Sequence, residues 1–166
     1  MRSKTFIVGV AFAMFAACGG GEQSILDEGP RFPDAEGIAT EVTLERIEID
    51  GEESYAIGDN VESFTTRSHE VTPLLTWKGK YVHVGLTEDN GVAWIAGIGT
   101  VIEEKGEEPI TLYTGVFEKQ DSETDRAVFE DGTTLALGKG VALPEPGETI
   151  VTLDPERHEI TNIENP

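Results

Sequence analysis

The chain has 166 residues, 38% hydrophobic and 27% charged, which is ordinary for a globular protein and excludes a disordered polyelectrolyte. Thirty-two acidic residues stand against 12 basic ones, for a net charge of -20. That balance excludes nucleic acid as a partner and peripheral docking on anionic lipid headgroups, both of which need clustered Lys and Arg, and leaves a solvated, self-repelling coat as the simplest reading.

The first 17 residues read MRSKTFIVGVAFAMFAA. Arg2 and Lys4 make a basic start, and Phe6 to Ala17 is an unbroken apolar run of 12 residues. That suits the core of a signal peptide and falls short of the roughly 20 residues a membrane-spanning helix needs. Small residues Ala16 and Ala17 then precede Cys18, the only cysteine of the chain. The stretch resembles a bacterial lipoprotein signal peptide with its lipobox. The resemblance covers residues 1–21 and implies that Cys18 becomes the first mature residue, with a lipid thioether on its sulfur and an acylated amino group. It also implies a cell-envelope location. Gly19, rather than Asp, after the cysteine points to the outer membrane in a Gram-negative cell; in a Gram-positive cell the anchor would sit on the outer face of the plasma membrane. The alternative is an ordinary secretory signal, with Cys18 left as a stray thiol. With no other cysteine, the mature protein has no disulfide and must be stabilised by packing.

Residues 19–36, GGGEQSILDEGPRFPDAE, hold four Gly, two Pro and several acids with no apolar period. They read as a flexible tether that holds the body off the bilayer. Ile25, Leu26 and Phe32 are its only docking candidates.

From residue 37 to 166 the pattern is that of a single all-β domain. No apolar stripe at helical spacing survives the glycines and turn residues. Short alternating runs recur instead, at intervals of about ten residues. TEVTLERIEID alternates through Val42 and Leu44, then changes phase at Ile47 and Ile49, which predicts a bulge. SYAIG and VESFTT are predicted short strands. EVTPLLTW is an edge or bulged strand because Pro73 cannot donate to a ladder. KYVHVGL places Val82, Val84 and Leu86 on one face and Tyr81, His83 and Gly85 on the other, with His83 half-exposed. GVAWIAGIGTVI is apolar on both parities and is the predicted central strand, covered on both sides. EPITLYTGVFE, DRAVFED, TTLALG, ETIVTL and RHEITNI follow. Leu112, Val116, Leu135, Leu137, Ile150 and Leu153 are core candidates. Turns fall at Lys78-Gly79, Glu88-Asp89-Asn90-Gly91, Lys105-Gly106, Asp131-Gly132 and Gly138-Lys139-Gly140, where Gly and Asn admit positive φ. No internal repeat is evident. The rhythm predicts an antiparallel β-sandwich of immunoglobulin-like type, with a small OB-like barrel as the second arrangement.

Signals for chemistry are sparse. Ser68, His69 and Glu70 are neighbours, but alternation along a strand points Ser68 and His69 to opposite faces, and no nucleophile elbow occurs. Three scattered histidines without a thiol do not make a zinc site. Asp121, Glu123 and Asp125 alternate like the start of a calcium loop. The sixth and twelfth positions, Arg126 and Gly132, break the EF-hand pattern, which leaves a loop calcium site or a solvated hairpin. Gly97 and Gly99 lack the third glycine and following helix of a nucleotide cradle, and mark close backbone approach instead. Trp77 and Tyr81 flank one predicted hairpin and are the candidates for stacking on a sugar. Catalytic residues are not indicated. The sequence therefore points to a lipid-anchored envelope protein with a non-catalytic binding or structural β-domain, whose partner is an envelope protein or glycan. The alternatives are a carbohydrate- or calcium-binding module and an envelope enzyme with acidic catalytic residues.

Overall fold

The structure, a computed structural model, describes residues 29–66 and 68–166. Cys18, the leader and the first part of the tether lie outside the described residues. The described body is all-β, and its one helical element is the 3₁₀ turn Leu74–Trp77. Its strands are β1 Ala35–Val42, β2 Arg46–Ile49, β3 Glu53–Thr65, β4 Lys80–Leu86 and β5 Val92–Ile102, then β6 Ile110–Asp121, β7 Arg126–Phe129, β8 Thr134–Ala136, β9 Gly147–Asp154 and β10 Glu159–Glu164.

The first five strands close into a barrel in the order β1-β2-β3-β5-β4-β1, with every pair antiparallel except β3–β5. That is the strand order of an OB-like barrel, the second arrangement expected from the turn rhythm. The last five strands repeat it as β6-β7-β8-β10-β9-β6, closed by a parallel bridge from Leu137, just past β8, to Ile160. The two rings join where Val101 and Ile102 of β5 pair with Thr111 and Ile110 of β6.

The repeat extends to the irregularities. The β1–β2 pairing slips between Ala39 and Glu41, and the β6–β7 pairing slips between Phe117 and Lys119. A second slip falls at Gly85/Leu86 in the first barrel and opposite Thr152/Leu153 in the second. Ile57 meets Val92 in parallel, as Leu137 meets Ile160. The Ile57 N–H donates to the carbonyl of Glu45, and the Leu137 N–H to that of Asp125. Ahead of β5 and β10 stand Asn90 and His158, left-handed at φ 59° and 58°. These pairings equate Gly37 with Gly115, Arg46 with Arg126, Gly58 with Gly138 and Val84 with Val151.

Each barrel has its own core. Ala39, Ile47, Ile49, Val82, Val84, Ile95 and Trp77 fill the first, and the 3₁₀ turn lays Trp77 across it. Phe117, Phe129, Leu135, Val151, Leu153 and Ile160 fill the second. β4 serves both, because alternation sends Val82 and Val84 into the first core and Tyr81 toward the second. β5 is the doubly covered strand expected, pairing with β3, β4 and β6. Its glycines mark close approach: a Cβ at Gly97 would overlap the Trp77 ring, and one at Gly99 would stand 2.7 Å from the Leu112 carbonyl oxygen.

Several local expectations change. The phase shift before Ile47 is a hairpin turn, not a bulge: the Thr43 hydroxyl accepts the Glu45 and Arg46 N–H groups, and Leu44 is 72% exposed. SYAIG and VESFTT are one strand, β3, irregular between Ile57 and Glu62. EVTPLLTW keeps only a short antiparallel bridge of Val71 to Phe64 before Pro73 opens the 3₁₀ turn. Leu112 and Ile150 face solvent, because they occupy the outward parity of β6 and β9. His83 is buried, since the second barrel covers the face it was expected to expose. The end of the tether is docked: the Arg31 N–H donates to the Gly132 carbonyl at 2.7 Å, and the Asp34 carboxylate accepts the Leu86 N–H at 2.7 Å. All five turns are found.

Candidate functional site

The seam between the barrels holds a buried charge cluster. Glu36 and His83 are cross-strand partners on β1 and β4, and both point outward from the first core. Arg126, the first residue of β7, reaches across from the second barrel. Its Nη1 and Nη2 donate to the two carboxylate oxygens of Glu36 at 2.9 and 2.8 Å. Its Nε donates to the Thr134 hydroxyl at 3.1 Å, which orients the fork. His83 Nε2 lies 3.0 Å from Glu36 Oε2, a close contact rather than an aligned hydrogen bond. Burial would raise the Glu36 carboxyl, but the His83 ring and the Arg126 guanidinium outweigh it and hold it down to about 2. Burial pushes the His83 imidazole below its ordinary value, toward the neutral form.

A second pair crosses the seam nearby. His158 Nε2 is 2.8 Å from Asp50 Oδ2, while Asp50 Oδ1 accepts the Ile38 N–H at 2.8 Å. Tyr81 stands between the histidines, its ring centre 6.1 Å from that of His83 and 6.0 Å from that of His158. Its hydroxyl is buried without a hydrogen-bond partner among the described residues. Burial, reinforced by Glu36, raises its pKa and keeps it protonated. The end of the second barrel formed by Arg126 and His158 is therefore closed by the outer face of the first.

A further polar group centres on Asp131, in the β7–β8 turn. Its carboxylate accepts the Tyr113 hydroxyl at 2.7 Å and the Thr133 N–H at 2.8 Å, and its carbonyl lies 3.0 Å from His69 Nε2. Burial, with the Asp131 charge, pushes the Tyr113 phenol up. Behind it the Arg31 guanidinium sits 5.1 Å from the centre of the Phe64 ring, with neither terminal nitrogen hydrogen-bonded among the described residues. Burial lowers its pKa, and the charge of Asp131 opposes that shift. In front lies a depression of about 580 Å³ over β6 and β9, within the size range of small-ligand sites. Thr114, Val116, Glu130, Asp131, Glu148 and Ile150 line it, together with His69 and Pro166.

The residues singled out from the sequence are dispersed. Trp77 is buried in the first core, where its indole N–H donates to the Ser63 hydroxyl at 2.8 Å. Tyr81 is buried on the opposite side of β4, so the two rings form no shared exposed platform. Asp121 accepts the N–H groups of Glu123 and Thr124 in its own turn, and Asp125 accepts from the Gln120 amide. Among the described residues no three His, Cys, Asp or Glu side chains are grouped to hold a metal. Ser68 bonds Thr65 and His69 holds Asp131, so they do not form a nucleophile–base pair. Glu36, Arg126 and Asp50 had no sequence signal, because they lie 90 and 108 residues from the partners that define them. Searches against family models, curated proteins and solved structures find no match, so the class rests on the tandem pair of OB-like barrels and their ionic seam.

Proposed function

We propose that the chain is a lipid-anchored cell-envelope protein whose two-barrel body is a non-catalytic binding or structural element. The observation that carries the anchor is the basic start, the 12-residue apolar run and the FAAC stretch ending at Cys18. The non-catalytic reading is supported by the seam: Glu36 is engaged with His83 and Arg126, and Asp50 with His158, so that these groups tie the two halves together, although Glu36, Asp50 and His158 also line a cavity of about 340 Å³. The partner is an envelope protein or a glycan, and the acidic coat disfavours anionic polymers. Mass spectrometry of the protein taken from native membranes tests the anchor. The expected mature chain begins at Cys18 and carries a diacylglyceryl thioether. Retention of residues 1–17, or an unmodified sulfur at Cys18, overturns it.

A further inference from the structure

The duplication repeats the seam's outer face on the second barrel, where it is open to solvent among the described residues. In the seam the first barrel presents Ile38, Tyr81 and His83 from the outer face of β1 and β4, with Asp50 from the turn after β2. Strand register equates these with Val116, Glu148, Ile150 and Glu130 of the second barrel. All four line the 580 Å³ depression. The gripping residues Arg126 and His158 have their counterparts in Arg46 and Asn90, at the corresponding end of the first barrel. That end is exposed: the Arg46 side chain is 51% accessible and neighbouring Leu44 is 72% accessible. So each chain buries one such face in one such end, and exposes one further copy of each.

We propose that this depression receives the Leu44–Arg46 end of the first barrel of a second copy of the chain, giving head-to-tail association. The register places Thr114 where Glu36 stands in the seam, so the charge offered to Arg46 comes from its neighbours in the depression, Glu130 and Glu148. Among the described residues the Arg46 guanidinium pairs with exposed Glu41, a contact weak enough to exchange. Leu44 supplies the apolar contact for Val116 and Ile150. The interface is heterologous, so it propagates into chains or rings rather than closing as a two-fold dimer.

Cysteine crosslinking of the full-length chain, purified in mild detergent, tests this. A chain carrying both Leu44→Cys and Ile150→Cys is expected to give a ladder of dimers, trimers and larger species under mild oxidation. A mixture of the two single variants should stop at dimers, and each single variant alone should crosslink no more than the parent chain with Cys18. Absence of crosslinking in both the double variant and the mixture overturns the proposal. So does efficient self-crosslinking of Leu44→Cys alone, which would mean a two-fold contact. Sedimentation provides a second readout, in which Arg46→Glu weakens association by about tenfold or more and Arg46→Glu with Glu148→Arg in one chain restores it. These positions lie on the surface, so folding is preserved. Equal association of Arg46→Glu and the parent chain would exclude this end as the contact.

Discussion

Replacing Glu36 by Gln keeps the shape of the seam and removes the charge between Arg126 and His83. Arg126 is then a guanidinium 12% exposed with no carboxylate to receive its fork. The magnitude follows from the depressed carboxyl. A shift from 4.5 to about 2 corresponds to ~3 kcal/mol of folding stability at pH 7, in line with the ~3–5 kcal/mol typical of breaking a buried pair. The sign is that of a lowered acid: the contribution is complete above the unfolded value and is lost as pH falls from about 4.5 toward about 2. At pH 3 it should have shrunk to ~1.4 kcal/mol. Urea unfolding followed by tryptophan fluorescence, at pH 7 and pH 3, reads both values. A Glu36→Gln variant within ~0.5 kcal/mol of the parent at pH 7, the usual range of a neutral surface substitution, would refute the reasoning. A stability difference that does not narrow at pH 3 would refute it equally.

Other perturbations address the cores and turns. Gly97→Ala drives a methyl into the Trp77 ring and should destabilise by ~1–3 kcal/mol, with a shift in tryptophan emission; an unchanged urea midpoint would mean the close approach is absent. Asp131→Asn keeps the shape of the β7–β8 turn but removes the charge beside Arg31 and weakens the bond from Tyr113, for an expected loss of ~1–3 kcal/mol in the same assay. Asp121→Ala removes the acceptor for two turn N–H groups and should destabilise by ~0.5–1 kcal/mol, equally with and without millimolar calcium. A melting temperature of the parent that rises with calcium, and does so less in Asp121→Ala, would contradict a purely structural role.

Most of the secondary structure was legible because strands and turns are local. Alternation placed Val82 and Val84 on one side of β4 and Tyr81 and His83 on the other, and Gly marked five of the turns, whereas the turns at 43–45, 122–125 and 155–158 carry neither Gly nor Asn. Three of the differences share a cause: for Leu112, Ile150 and His83 the sequence offers only parity and polarity, and neither property says which face of a strand another barrel will cover. The repeat was hidden because equivalent residues are separated by 78 positions between Gly37 and Gly115, by 80 between Arg46 and Arg126, by 67 between Val84 and Val151 and by 68 between Asn90 and His158. A shift in spacing within each unit erases a fixed period, and only the hydrogen-bond registers restore it.

By itself the sequence determined the all-β class, the glycine-marked turns, the alternating cores and the apolar leader ending at Cys18, each set by residues within a few positions of one another. Only the tertiary structure decided that the body is two barrels of one topology. Only it, too, brought Glu36 to Arg126 and Asp50 to His158. Ring closure and ion pairing join groups tens of residues apart, and the energy of those contacts depends on distance and burial, which arise only when the chain has folded.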